Sequence, residues 1–258
     1  MTGAEGWAFV SVAENGSHTA MSRDVAVEHP CAIEVNGLGY AVMMLSPSDL
    51  QDFAYGFCLS ERLIDGAADI GTVEPHGTAS GTILRVNTRP ALRNRVFERV
   101  RHRLSESSCG LCGIENLEQA LRPLPRLQDT PPIAPGAIFR ALSNMRANQP
   151  LNGRTGAVHA AMACDGDGAI LLAREDVGRH NAFDKLIGAM LRDGQDWKGR
   201  FALLSSRCSY ELVEKAALAG CSTLVTVSAA TELALSRAKE ANIEVCSLAR
   251  RDSFLACA

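Results

Sequence analysis

The sequence predicts an α/β protein, in which parallel strands are joined by helices that pack on the sheet. One pattern supports this fold class, and two further observations concern the size of the core and the lack of a membrane segment. The second half of the chain alternates short apolar runs with amphipathic segments, a pattern typical of parallel strands with right-handed crossovers. Hydrophobic residues make up 47% of the 258 residues, which is enough to bury a large core. No apolar run approaches the ~20 residues that a membrane helix needs, so we expect no membrane segment.

A smaller α+β portion is predicted for residues 28–122, after a polar segment at residues 1–27. Two apolar stretches flank an Asn-Gly dipeptide, which predicts a β-hairpin over 32–35 and 40–45 because Asn-Gly favours the positive φ angles of tight turns. Ser46 is expected to cap the next helix, with Pro47 at its first position. Apolar residues at helical spacing predict the buried face of this helix: Leu50, Phe53, Ala54, Phe57 and Cys58.

Weaker patterns complete this portion of the chain. Residues 82–87 alternate enough to predict a strand, whereas residues 92–104 fit either a strand or a helix. A short helix is expected at 114–121. Five prolines then indicate a linker, which we place at residues 123–136.

The remaining portion, residues 137–258, carries the predicted sheet after a helix at 138–146. Buried strands are expected at 169–174, 201–204, 223–227 and 244–248. Helices are expected at 181–191, at 211–219 with Ser209 as cap, and at 232–242 with Thr231 as cap. Ligands in such sheets bind beyond the carboxyl ends of the strands, where the loops 175–180 and 205–209 would lie.

The most informative local feature is a pair of cysteines, Cys109 and Cys112, in the sequence C-G-L-C-G. Two thiols at this spacing bind a metal, close a disulfide or transfer sulfur. Zinc is disfavoured because no second close Cys/His pair and no deaminase H-x-E motif accompany the pair. A thioredoxin-like oxidoreductase stays open, although the pair lies in mid-chain. Sulfur transfer fits better, because the glycines would allow a mobile loop to carry a persulfide from donor to acceptor.

The other seven of the nine cysteines are single and lie in apolar segments. This distribution indicates reduced thiols. The N-terminus lacks the pattern of a secretory signal, so we expect a cytoplasmic protein. A formal charge of −3 argues against nucleic-acid binding. Seven arginines between residues 85 and 103 nevertheless precede the pair. They form either a solvated face or a positive field that favours the thiolate.

Polar residues concentrate at the predicted strand ends. The block 174–185, R-E-D-V-G-R-H-N-A-F-D-K, suits an anionic or hydrogen-bonding ligand, although structural ion pairs explain part of it. Residues 153–159 would form another wall of the same site. Arg207 is a candidate phosphate ligand, and Arg250 and Arg251 add two cations after the last strand, where a solvated tail is the alternative.

Together these motifs resemble those of the FdhD family of formate dehydrogenase accessory sulfurtransferases. The resemblance rests on C-G-L-C-G, on E-D-V-G-R-H-N-A followed by D-K, and on the hairpin followed by D-F-A-Y-G-F, and it extends from about Glu28 to the C-terminus. It implies a sulfur carrier that receives sulfur from a cysteine desulfurase. The sulfur would pass to the molybdenum bis(molybdopterin guanine dinucleotide) cofactor, bound as substrate, before that cofactor enters formate dehydrogenase. It also implies a homodimer with a larger cytidine-deaminase-like domain and no permanently bound metal.

The resemblance also implies roles for individual residues. Cys109 would carry the persulfide and Cys112 would assist it. The expected cofactor-binding residues are Leu248, Ala249, Arg250, Arg251, Asp252 and Ser253, with Thr155, His159, Asp176, Arg179, His180 and Arg207 around the guanine nucleotide and its phosphates. Ala157, Ser206 and Leu248 depart from the family pattern, which affects nucleotide packing but not the thiols. The alternative functions are a molybdenum-cofactor chaperone that transfers no sulfur and a thioredoxin-like oxidoreductase.

Overall fold

An antiparallel ribbon opens the chain in a computed structural model that describes residues 3–105 and 122–257. Its strands are β1 (Ala4–Val12) and β2 (His18–Ala26). The sequence analysis did not predict this ribbon. Most of its side chains are exposed on both faces, including Trp7 and Phe9, so it lacks the alternation of a half-buried strand.

A four-stranded sheet follows, with the order β4-β3-β6-β5. Its strands are β3 (His29–Val35), β4 (Leu38–Leu45), β5 (Ile70–Thr78) and β6 (Gly81–Thr88). The predicted hairpin is confirmed as β3–β4, with φ angles of 51° at Asn36 and 80° at Gly37. The strand predicted at 82–87 is confirmed as β6, whereas β5 was not predicted.

Two helices pack with this sheet: α1 (Leu50–Ser60) and α2 (Arg93–Ser105). Helix α2 settles the ambiguity at residues 92–104 in favour of a helix. The prediction that Ser46 caps α1 is wrong, because Asp49 precedes the first helical residue. Ser46 is instead fully buried against the second sheet.

The second sheet has six strands in the order β12-β11-β10-β9-β7-β8. Its strands are β7 (His159–Asp165), β8 (Ile170–Asp176), β9 (Arg200–Leu204), β10 (Thr223–Thr226), β11 (Glu244–Ser247) and β12 (Leu255–Ala256). The helices of this part are α3 (Pro135–Asn144), α4 (Pro150–Thr155), α5 (Arg179–Arg192), α6 (Tyr210–Ala219) and α7 (Glu232–Ala241). The fold class is therefore α/β, as predicted. None of the described helices is long and apolar enough to span a membrane.

The direction of the strands determines which loops meet. Strands β9, β10 and β11 are parallel, and β7 is antiparallel to both β8 and β9. The four predicted strands, β8 to β11, therefore all run in one direction. Strand β7 was not predicted, because its sequence H-A-A-M-A-C-D has no β-branched or aromatic residue. The carboxyl ends of β8 to β11 and the amino end of β7 share one edge of the sheet.

Helices α1 and α5 join the two sheets through a close crossing at two glycines. A Cβ atom on Gly56 would lie 1.8 Å from the carbonyl oxygen of Asp184, and one on Gly188 would lie 1.8 Å from that of Asp52. Both contacts are with backbone, which cannot move aside as a flexible side chain does. The crossing therefore requires the absence of a side chain at both positions.

Replacement of Gly188 by alanine is expected to destabilise the protein by about 2 kcal/mol, because overpacking exceeds the gain in helix propensity. Urea unfolding of the purified variant measures the change. Gly136→Ala is the matched control, because Gly136 also lies in a helix but is exposed. A Cβ atom there would meet none of the described atoms within 4 Å. Equal unfolding midpoints for Gly188→Ala and the wild type would contradict the described crossing.

Candidate functional site

The predicted binding residues meet at the shared edge of the six-stranded sheet. His159 opens β7 and lies opposite Asp176, the last residue of β8. Arg179 and His180 begin α5 directly after β8, and Arg207 follows β9. The segment 248–253 follows β11 at the same edge. Strand direction thus gathers residues from distant parts of the chain.

A buried ion pair organises this edge. The Lys185 ammonium lies 2.7 Å from Asp176 Oδ2, and both side chains are 0% exposed. Asp176 also accepts hydrogen bonds from the backbone N–H groups of Ser46 (2.9 Å) and Gly178 (2.8 Å) and from the Asn181 amide (3.1 Å). Lys185 donates to the Ser46 carbonyl at 2.9 Å. Both carboxylate oxygens of Asp176 are therefore engaged within the protein.

The neighbouring carboxylate, Glu175, fixes the short helix that leads to the edge. Its two oxygens accept the backbone N–H groups of Leu151 and Asn152, each at 2.8 Å, at the start of α4. Thr155 ends this helix, and its hydroxyl donates to the Leu151 carbonyl at 2.9 Å. Thr155 is buried at the end of α4, so it contributes to packing next to the start of β7.

Two histidines lie at the edge in different electrostatic settings. His180 Nε2 lies 2.7 Å from a carboxylate oxygen of Glu211 and 3.1 Å from the Ser209 hydroxyl. The hydrogen bond from His180 is the main reason that the pKa of Glu211 is lowered. Burial lowers the pKa of His159, and the positive charges of Arg179 and His180 lower it further. His159 therefore lies close to both Arg179 and His180.

Arginine side chains supply positive charge that the described protein leaves unpaired. Within residues 3–105 and 122–257, the guanidinium groups of Arg179 and Arg207 make no hydrogen bond or ion pair, and Arg179 Nε is buried. Helix α5 starts at Arg179 after Gly178, and no side chain caps it. Helix N-termini and unpaired guanidinium groups both favour anions, and phosphate in particular. This edge therefore suits an anionic ligand.

The segment after β11 forms a bent wall of the same edge. The Leu248 N–H donates to the Ser228 carbonyl at 3.2 Å, and the Ala249 N–H donates to the Thr226 carbonyl at 3.0 Å. Leu248 has a φ angle of 51°, which is rare for a bulky residue, and its side chain is 38% exposed. The Arg250 guanidinium donates to the Ala249 carbonyl at 3.2 Å. The last residues of the segment are exposed: Arg251, Asp252 and Ser253.

Cys109 and Cys112 lie outside the described residues, so their expected roles stay predictions. The other seven cysteines are free thiols, and six of them are buried. Burial raises the pKa of Cys31 to about 11 and that of five others to about 12: Cys58, Cys164, Cys208, Cys221 and Cys246. Among the described cysteines, only Cys257 is exposed. Six thiols are thus poor sources of nucleophilic thiolate.

Sequence reasoning missed several residues that shape the edge. Ser46 was assigned to a helix cap but contacts Asp176. Ser209 occupies the N-cap position of α6 as predicted, but its side chain contacts His180 and makes no capping hydrogen bond with a described residue. Glu211 and Ser205 were not singled out individually, but Ser205 accepts the Ala160 N–H at 2.8 Å. The polar residues 205–211, which follow β9, were the sequence signal that could have identified Ser205, Ser209 and Glu211. The described part of the chain contains no cluster of three or more His, Cys, Asp or Glu side chains that suits a metal ion.

Comparisons with known proteins identify relatives of this chain. The profile of the FdhD/NarQ family matches residues 26–256. A sulfur carrier protein FdhD from Bordetella petrii is 40% identical over 235 residues, which cover 91% of this chain and 84% of the relative. One from Xanthomonas campestris pv. campestris is 43% identical over 236 residues, with the same coverage.

A solved structure from Desulfotalea psychrophila, described there as a formate dehydrogenase accessory protein, has a similar fold. The TM-score is 0.76 at 22% sequence identity, over 98% of this chain and 96% of the other. At that identity the likeness concerns the fold alone.

Replacing Arg179 by glutamine is expected to raise the pKa of His159, because one of the positive charges that lower it is removed. A pH titration of the histidine NMR signals measures the change, with His159→Gln used to assign the signal. In the wild type the pKa of His159 should lie below its usual 6.5. Arg140→Gln, which removes an exposed arginine from α3, should leave it unchanged. No shift in Arg179→Gln would show that the two side chains are not neighbours.

Proposed function

Because the chain belongs to the FdhD/NarQ family, we propose that it is a sulfur carrier that formate dehydrogenase requires for activity. In this proposal Cys109 accepts sulfane sulfur from a cysteine desulfurase as a persulfide. The sulfur then passes to molybdenum bis(molybdopterin guanine dinucleotide), the substrate, before that cofactor is inserted into formate dehydrogenase. The names of the relatives support the carrier role, and the chain's own thiols support the choice of cysteine.

The distribution of buried thiols is the observation on which the proposal mainly depends. Sulfur transfer needs a thiolate that is accessible to two large partners. Six described cysteines fail this requirement because they are buried, with pKa values raised to about 11 or 12. Cys109, Cys112 and Cys257 are left as candidates. The first two lie in a C-x-x-C pair, in which the second thiol can resolve a persulfide on the first.

The proposed chemistry has two steps. The Cys109 thiolate attacks the sulfane sulfur of the desulfurase persulfide, which forms the Cys109 persulfide and releases the desulfurase cysteine as a thiolate. The Cys112 thiolate then attacks the Cys109 sulfur. A Cys109–Cys112 disulfide forms, and the terminal sulfur leaves as hydrosulfide. The hydrosulfide, with one proton from the solvent, replaces an oxo ligand of the metal, and the oxygen leaves as water. A dithiol reductant must reduce the disulfide before the next cycle.

The edge of the six-stranded sheet is the proposed site for the substrate. The guanidinium groups of Arg179 and Arg207, which pair with none of the described residues, would bind phosphates of the guanine dinucleotide together with the start of α5. His159, His180 and the segment 248–253 would line the same site. Asp176 would act indirectly, since its carboxylate holds Lys185 and Ser46 in place.

Three finer expectations belong to the same proposal. The six-stranded sheet would be a cytidine-deaminase-like layer, which is supported by an antiparallel pair, β8 and β7, next to three parallel strands. The protein would act as a homodimer in the cytoplasm. It would bind no permanent metal ion and no nucleic acid.

Incubation with a cysteine desulfurase and cysteine is expected to add one sulfur atom to the peptide that contains Cys109. Mass spectrometry of the protease digest detects the added mass, and a thiol reductant should remove it. Cys112→Ala should still be loaded, whereas Cys109→Ala should not. The peptide that contains Cys257 is an internal control, because this exposed thiol lies outside the pair and should stay unmodified.

An unmodified Cys109 peptide in the presence of an active desulfurase would refute the carrier proposal. The double variant Cys109→Ala, Cys112→Ala distinguishes a chaperone from a carrier. Cells that contain only this variant should lack formate dehydrogenase activity if sulfur transfer is required. Retained activity would instead favour a chaperone that binds the cofactor at the arginine-bearing edge.

A further inference from the structure

Two adjacent residues at the end of α1 contact both sides of the stretch that contains the cysteine pair. The chain enters residues 106–121 from helix α2 and leaves them at Arg122. Glu61 and Arg62 directly follow α1. Glu61 binds Arg99 of helix α2, on the entering side of this stretch. Arg62 binds Pro123, on its leaving side.

The entering side is fixed by ion pairs between α2 and the end of α1. A carboxylate oxygen of Glu61 accepts hydrogen bonds from Arg99 of α2 at 3.2 Å and from the Tyr40 hydroxyl at 2.7 Å. The Glu61 and Arg99 side chains are 21% and 18% exposed. One turn earlier, Arg95 forms two hydrogen bonds with Asp65, at 2.9 and 3.0 Å. Two successive turns of helix α2, at Arg95 and Arg99, therefore contact the chain that follows α1.

The leaving side is held through backbone carbonyl groups. The Arg62 guanidinium donates to the Pro123 carbonyl at 3.0 Å. The Arg237 guanidinium donates to the Arg122 carbonyl and, at 2.9 Å, to Glu214. The Arg237 side chain is only 7% exposed. These bonds fix the path of the backbone where the chain leaves the undescribed stretch.

The backbone of Arg62 is itself unusual. Its φ angle is 59°, in the left-handed region. The Leu63 N–H donates to the Cys58 carbonyl and the Arg62 N–H donates to the Leu59 carbonyl, each at 2.9 Å, as in a Schellman motif. Glycine is the usual residue at this position, because other residues are strained there. A long cationic side chain in this place indicates a role for the guanidinium group rather than for the turn.

Helix α1 also ties these contacts to the candidate binding edge. It crosses α5 at Gly56 and Gly188, where the backbones touch. Helix α5 begins with Arg179 and His180. The two sides of the cysteine-bearing stretch contact residues that directly follow α1, and Arg179 of the edge begins α5. One pair of tightly packed helices therefore lies between these contacts and Arg179.

We propose that Glu61 and Arg62 are positioning residues for sulfur transfer, which hold the two sides of the cysteine-bearing stretch at a fixed place relative to the cofactor-binding edge. This inference rests on the proposed function. Effective transfer requires the reacting atoms to meet in a narrow range of geometries, so loosening either side lowers the rate of delivery. Loading of Cys109 requires only an encounter with a separate, freely diffusing desulfurase. It therefore does not depend on where the cysteine-bearing stretch lies relative to the cofactor-binding edge.

The test uses Arg62→Asn, which removes the guanidinium group but keeps a residue that tolerates the left-handed backbone. Glu61→Gln is a second variant, with the charge removed and the shape kept. Loading of Cys109 is followed by mass spectrometry, and formate dehydrogenase activity is measured in cells that contain only the variant. We expect wild-type loading but about tenfold lower formate dehydrogenase activity in both variants. Arg62→Lys should restore most of the activity, because its ammonium can donate to the Pro123 carbonyl.

Arg85→Gln is the control, because it removes an exposed ion pair with Glu34 on the four-stranded sheet and should change neither readout. The urea unfolding midpoint of each variant shows whether a loss of activity comes from lower stability. The inference is therefore tested with a variant that has the wild-type midpoint. Wild-type formate dehydrogenase activity in that variant would overturn the inference, as would an equal loss of loading. Failure of the wild-type protein to load would instead refute the proposed function.

Discussion

A buried ion pair between Asp176 and Lys185 is the constraint on which the rest of the structure depends. Both side chains are fully excluded from water, which is tolerated only when each charge is paired and hydrogen-bonded. The same cluster binds the backbone of Ser46, and Asn181 donates to the Met44 carbonyl at 2.9 Å. The end of β4, the end of β8 and the first turns of α5 therefore meet at one point, and the two sheets are joined there.

The cluster around Asp176 and Lys185 explains why the edge can present positive charge that none of the described residues pairs. Because Asp176 and Glu175 are used to fix Lys185 and the start of α4, neither carboxylate is left to neutralise Arg179. Most described thiols are buried and stay protonated, so the proposed sulfur chemistry is confined to a different part of the chain. In the proposed function, binding and sulfur transfer therefore belong to separate regions of the chain.

The sequence predicted what depends on local patterns and missed what depends on tertiary contacts. The β3–β4 hairpin followed from Asn36-Gly37, and Thr231 caps α7 as expected, accepting the Ala234 N–H at 3.3 Å. Strand β7 was missed because alanines carry little strand preference. Ser46 was misassigned because a serine before a proline suits a helix cap, and only folding brings it to Asp176. The meeting of the candidate residues at one edge of the sheet was predicted from strand direction, but the burial of Asp176 was not.

A double-mutant cycle on the free energy of unfolding tests the role of the buried joint most directly. Lys185→Met leaves the charge of Asp176 buried and unpaired, and Asp176→Asn does the same to Lys185. Each single variant should therefore lose about 3 to 5 kcal/mol. The double variant removes both charges, so its loss should fall short of the sum of the single losses by about 2 kcal/mol or more. Additive losses, or single losses close to zero, would contradict the claim that this pair joins the two sheets.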